Sequence, residues 1–133
     1  MTPRKILIVD DEANQRLMVE QALRALPFDW TISTAASGQE ALDSLALHQP
    51  DLIITDYHMP IMNGLELIAR VRELRIPSRI ILITAYSSPE LYDAAQKLQV
   101  DHYLTKPVPL TLLRRIATGT LDATHAPLTG NIG

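Results

Sequence analysis

The chain has 133 residues, no cysteine and a formal charge of −3, with 12 Lys and Arg against 15 Asp and Glu. Its length suits one domain, and 47% hydrophobic with 20% charged residues is the balance of a globular protein, neither disordered nor fibrous. Without cysteine there is no disulfide, thiolate zinc site or Cys nucleophile, and without a basic excess direct nucleic-acid binding is not expected.

The opening MTPRKILIVDDE holds a five-residue apolar run, too short for a signal sequence or a membrane span, so the expected location is the cytoplasm. That run, Lys5 to Val9, reads as a strand covered on both faces, and it stops at Asp10-Asp11-Glu12. From Ala13 to Leu26 the spacing predicts a helix. Met18, Ala22 and Ala25 face inward, Val19, Leu23 and Leu26 lie beside them, and Pro27 closes the segment.

Thr31 to Ala36 is a weaker strand, and the Ser37 to Glu40 spacing after it is that of a capping box. The second helix then turns Ala41, Leu42, Leu45 and Ala46 inward and ends at His48-Gln49-Pro50. The third strand, Leu52 to Thr55, runs straight into the carboxylate of Asp56 and turns through Met59-Pro60 to Asn63-Gly64. A helix follows with Leu65, Ile68 and Val71 inside and Arg70, Arg72, Glu73 and Arg75 on its solvated face, stopping before Pro77.

Arg79 to Thr84 is the fourth strand, ending on a hydroxyl. Ser88, Pro89 and Glu90 open the fourth helix as N-cap, first-turn proline and first-turn acid, and Leu91, Ala94, Ala95 and Leu98 form its inner face. Asp101 to Thr105 is the fifth strand, ending at Lys106-Pro107. Pro109 opens a last helix with Leu112, Leu113, Ile116 and Ala117 inward. Residues 1–121 are thus expected to form the domain, and Asp122 to Gly133, which lacks periodicity and collects Pro, Gly, Thr and Asn, a flexible tail or truncated linker.

Strand and helix alternate five times with short connections, which predicts an α/β fold with a parallel sheet covered on both faces. In such a sheet the carboxyl ends of the strands share one edge, where ligands bind. Asp10-Asp11, Asp56, Thr84 and Lys106 all stand at strand ends. Three carboxylates gathered there repel one another unless a divalent cation joins them, and an all-oxygen ligand set favours Mg²⁺ or Mn²⁺. Lys106 supplies an ammonium suited to phosphate and Thr84 a hydroxyl donor. A carboxylate beside a cation, a lysine and a hydroxyl can attack a phosphoryl group, and Asp56 is the candidate nucleophile.

The motifs LIVDDE (Leu7 to Glu12), LIITDYHMPIMNG (Leu52 to Gly64), ILITAY (Ile81 to Tyr86) and YLTKP (Tyr103 to Pro107) resemble those of receiver domains of two-component response regulators, across residues 4–121. The resemblance implies a flavodoxin-like, doubly wound (βα)5 fold in three layers with strand order 2-1-3-4-5. It implies that Asp56 accepts a phosphoryl group from the phosphohistidine of a sensor histidine kinase or histidine phosphotransfer protein. Asp10, Asp11, Asp56 and the backbone carbonyl of His58 would hold Mg²⁺, and Lys106 and Thr84 would contact the phosphoryl oxygens. Tyr103 would rotate inward behind Thr84. The surface formed by the fourth helix, fifth strand and fifth helix would change, signalling to an effector domain or protein or forming a homodimer. Such a chain catalyses its own phosphorylation and dephosphorylation without multiple-turnover activity.

Some positions depart from the family pattern. Gln99-Val100 stands where Gly-Ala is expected, which removes the easiest left-handed cap, and Val108 stands where Phe is usual. His58 and Tyr86 flank the acceptor and are expected to tune the lifetime of an aspartyl phosphate by controlling water. His48, His102 and His125 have no ligand spacing and read as surface residues. An aspartyl phosphatase of the haloacid dehalogenase type is the first alternative, but its usual second Asp is replaced by His58. An interaction module that has lost the chemistry is the second, opposed by the complete residue set. Neither a GxxxxGK[ST] loop nor a GxGxxG turn is present.

Overall fold

The structure is a computed structural model that describes residues 3–27 and 29–122. Among the described residues ten elements alternate: β1 (Arg4–Val9), α1 (Ala13–Leu23), β2 (Trp30–Ala35), α2 (Gly38–Leu47), β3 (Leu52–Asp56), α3 (Gly64–Glu73), β4 (Arg79–Thr84), α4 (Pro89–Lys97), β5 (His102–Thr105) and α5 (Leu110–Asp122). The strands form one parallel sheet in the order β2-β1-β3-β4-β5, the flavodoxin-like arrangement expected.

The two-residue period of the strands divides the core. Leu7, Val9, Ile53, Ile80 and Leu82 point to one face, where Leu45 of α2, Leu67, Ile68 and Val71 of α3 and Ala95 of α4 cover them. Ile6, Ile8, Ile54, Ile81 and Ile83 point to the other, under Leu23 of α1 and Leu113, Ala117 and Leu121 of α5. Three layers result. Every residue of β3 and β4 is buried, as continuous apolar runs in a doubly covered sheet require. Each fully buried Leu or Ile contributes on the order of 2 kcal/mol.

Helix ends and faces differ from the sequence reading in instructive places. The backbone N–H of Arg24 reaches the carbonyls of both Glu20 and Gln21, ending α1, and a turn from Leu26 to Leu23 swings Leu26 into the core. Ala25 therefore lies outside, and Met18 is 46% exposed rather than packed. Ala46 and Leu112 are likewise exposed, each at the margin of an apolar stripe narrower than its sequence suggests. Leu67, missing from the expected face of α3, is buried because Gly64, Leu67, Ile68 and Val71 are the three-and-four spaced set, and Leu65 is only half-buried. The Ser37 hydroxyl accepts from Glu40 N at 3.0 Å, but Glu40 returns to Ala36 N, so only half of the capping box forms; the full one is Asn63 with Glu66. Pro109 precedes α5, its carbonyl accepting from Leu113 N at 3.0 Å. The expected tail lies outside the described residues apart from Asp122, which closes α5, and so does His125.

Arg72 is the largest departure, because it is no solvated residue. Its guanidinium donates to the carbonyls of Leu98 and Gln99 after α4 and of Ile76 and Ser78 before β4, at 3.0 to 3.3 Å. Burial pulls its pKa below the usual range. The left-handed cap expected to be lost is also present: Gln99 adopts φ 60°, and Val100 N donates to Ala95 O at 3.2 Å. A side chain in that conformation costs about 1 kcal/mol, and the Arg72 bonds to Leu98 and Gln99 hold the turn in place. Replacing Arg72 by Met strands several part-buried carbonyls. We expect a loss of about 3 kcal/mol of stability, read as a lower urea midpoint at unchanged slope.

Candidate functional site

Register fixes the site before any side chain is considered. Val9 pairs with Thr55, Asp56 with Ile83 and Thr84 with Thr105, so Asp10, Asp56, Thr84 and Lys106 emerge along one edge of adjacent strands. Asp10 and Asp56 are 7% and 8% exposed and Asp11 is open to solvent. A carboxylate oxygen from each of the three lies within 4.8 Å of the others. Lys106 Nζ stands 3.0 Å from Asp56 Oδ1, and its backbone N–H donates to Thr84 O at 2.8 Å, tying the β5–α5 corner to β4.

Burial pushes the Asp10 carboxyl up from 3.8 to about 6, against the backbone N–H of Glu12, which bonds its Oδ1 at 2.9 Å and lowers it. The neighbouring charge of Asp56 raises it further. Asp56 Oδ1 is buried and receives no hydrogen bond of good geometry, having only the charge of Lys106 close by. A buried carboxylate oxygen without a donor, beside two more carboxylates, is a donor set that suits a hard divalent cation. The residues fit Mg²⁺.

Close packing holds Asp56 in place. Gly64 N donates to Tyr57 O at 2.8 Å, and a Cβ on Gly64 would run into the Asp56 carbonyl oxygen. Only glycine lets α3 start so close to the end of β3. Between them Ile61, fully exposed, sits at φ 72°, a costly conformation for a β-branched side chain.

The remaining candidates line up behind and around this edge. The buried Thr84 hydroxyl is occupied within its own loop, accepting from Tyr86 N and donating to Tyr86 O, each at 3.1 Å. Tyr103 is half-buried, bonds Ser87 Oγ through its hydroxyl at 2.8 Å, and meets Tyr92 edge to face. His58 is exposed and makes edge contacts with Tyr57 and Tyr86, so these rings flank the site together. His48 and His102 are on the surface. The sequence reading missed Gly64 as a packing residue and Ser87 as the partner of Tyr103; the NG pair signalled a turn, whereas nothing local marked Ser87. A cavity of about 420 Å³ also opens beside Asp56 and Lys106, toward Met18, Val19, Val108 and Leu113.

Residues 6–118 match the sequence family described as response regulator receiver domain. Among curated proteins the chain is 34% identical over 109 residues to the transcriptional regulatory protein PdtaR of Mycobacterium tuberculosis, covering 82% of this chain and 52% of that protein. It is 32% identical over 128 residues to the nitrate/nitrite response regulator NarL of Escherichia coli, covering 93% and 59%. The chain thus spans about half the length of these relatives. Among solved structures, a CheY-like receiver domain protein from Methanospirillum hungatei superposes with a TM-score of 0.86 at 27% identity, covering 93% of this chain and 98% of that one. Chemotaxis protein CheY4 of Vibrio cholerae gives 0.81 at 30%, covering 90% and 99%.

Two outcomes are expected. Gly64→Ala must displace the Asp56 backbone and should cost about 2 kcal/mol while weakening Mg²⁺ uptake, measured by thermal unfolding and calorimetry. Asp10 holds its proton to higher pH folded than unfolded, so without metal its contribution to stability is full below 3.8 and is lost as pH rises through about 6. A cation needs the carboxylate form. Mg²⁺ affinity should therefore fall by up to about tenfold per pH unit below that value, checked by calorimetric titration on both sides of it.

Proposed function

The chain belongs to the response regulator receiver domain family, and from that premise we propose that Asp56 is a phosphoacceptor that switches the surface around α4, β5 and α5. The observation that carries this reading is a buried carboxylate with Lys106 at 3.0 Å and two further carboxylates gathered beside it.

The donor is a phosphohistidine on a sensor histidine kinase or histidine phosphotransfer protein. An Asp56 carboxylate oxygen forms a new bond to phosphorus as the bond to the donor imidazole breaks, that nitrogen keeping the electron pair. Asp10, Asp11, Asp56 and the His58 carbonyl would hold Mg²⁺ or Mn²⁺, which would supply positive charge to offset that on the phosphoryl oxygens. Lys106 moves its ammonium from the carboxylate to those oxygens.

The Thr84 hydroxyl donates to the phosphoryl group only by giving up its bond to Tyr86 O, which moves the β4–α4 loop. Ser87 lies in that loop, so its bond to Tyr103 is drawn into the same change and Tyr103 turns inward. His58 and Tyr86 limit water access and set the lifetime of the phosphoryl group. A phosphatase with turnover lacks its acid/base, since His58 is exposed where the second Asp is needed.

Residues 1–121 act as the receiver unit, and output passes to an effector domain or a partner protein. Tyr92 and Leu112, 48% and 37% exposed, offer apolar contacts for a homodimer on the switched face. The domain itself contacts no nucleic acid. No helix among the described residues is long and apolar enough to cross a membrane, which accords with a cytoplasmic setting.

With Mg²⁺ and acetyl phosphate or a histidine kinase, the protein should gain one base-labile, hydroxylamine-labile phosphoryl group by mass spectrometry. Asp56→Asn should abolish it, and Lys106→Ala should slow it at least about a hundredfold. Equal labelling of the Asp56→Asn protein sinks the assignment.

A further inference from the structure

The cavity beside the acceptor is more than the cation site requires. Its volume of about 420 Å³ is within the range of small-molecule sites. Ile8, Ile54 and Ile83 from the sheet and Leu113 from α5 give it an apolar wall continuous with the core. Asp10, Asp56 and Lys106 stand at one side. Val108, directly after Lys106-Pro107, lines it without an aromatic ring, and Met18, half out of the fold on α1, supplies an adaptable thioether.

We propose that this cavity binds a small amphiphilic anion. Its head sits against Lys106 and the cation, and its apolar body lies along Met18, Val19, Val108 and Leu113. The occupant follows from charge and polarity together. With a cation held by the three carboxylates, of which Asp10 and Asp56 line the cavity, Lys106 would be released to meet an anionic head, while inorganic phosphate alone would leave the apolar wall wet. The inference rests on the phosphoacceptor reading for its anionic end and extends it. Because the head occupies the place a phosphoryl group must enter, the bound molecule competes with phosphorylation and makes the switch responsive to a soluble ligand.

The full chain with Mg²⁺ is titrated with methylphosphonate and with hexylphosphonate, followed by NMR of backbone amides and methyl groups. Hexylphosphonate is expected to bind at least tenfold tighter, each buried methylene adding about fourfold. The methyl signals of Val19, Val108 and Leu113 should move with the hexyl compound alone, and that compound should slow labelling by acetyl phosphate. Val108→Phe, which fills the cavity, and Met18→Glu, at an exposed rim position, should each bring the ratio of the two affinities toward one. Equal affinity of the two phosphonates, or a chain-length preference that both variants retain, overturns the cavity site. Chain-length-dependent binding in a protein that no acyl phosphate labels upholds the cavity and overturns the phosphoacceptor reading alone.

Discussion

The contact between Lys106 and Asp56 is the interaction around which the carboxyl edge of the sheet is organised. Asp10 and Asp56 are both buried at the carboxyl edge of the sheet with Asp11 alongside, and like charges so close are unfavourable in a partly desolvated site. One ammonium 3.0 Å away offsets part of that repulsion. Burial first, and the Asp56 charge after it, raise the pKa of Asp10, and one buried oxygen of Asp56 has no hydrogen-bond donor. Folding therefore leaves an unsatisfied demand for positive charge at one edge. The three carboxylates form an all-oxygen donor set that would suit a hard divalent cation.

The same edge is joined mechanically to the far side of the sheet. Lys106 is anchored to Thr84 through its backbone, Thr84 to Tyr86 through its hydroxyl, and Ser87 to Tyr103 one residue further on. The links are neutral hydrogen bonds, two of them between Thr84 and Tyr86, each worth about 1 kcal/mol. Such bonds can exchange partners when a charged acceptor arrives, whereas the buried runs of β3 and β4 cannot move.

Rigidity on the opposite side comes from Arg72. By holding the carbonyls that follow α4 and precede β4, it fixes the turn where Gln99 takes a left-handed conformation without glycine. The α4–β5 connection is thereby held on the side away from the β4–α4 loop, whose own ties are the hydrogen bonds of Thr84 with Tyr86 and of Ser87 with Tyr103. The departure from Gly-Ala looks in the sequence like a weakened cap, yet the cap survives because a residue 27 positions away bonds to it.

Residue order alone determined the alternation of strands and helices, the parallel sheet and the placing of Asp10, Asp56, Thr84 and Lys106 at strand ends. Apolar runs, caps and prolines are local signals, and a parallel sheet sends every strand end to one edge. Helix faces were legible only in part, since Met18, Ala46 and Leu112 are apolar at the right period but lie where no neighbouring element comes close enough to cover them. Tertiary structure decided the rest: Arg72 as a bridge, Gly64 pressed against Asp56, the Ser87 to Tyr103 bond, and the cavity lined by Met18 and Val108. Each of these joins groups distant in the chain or depends on the distance between packed elements, which periodicity, a property of neighbouring residues, does not encode.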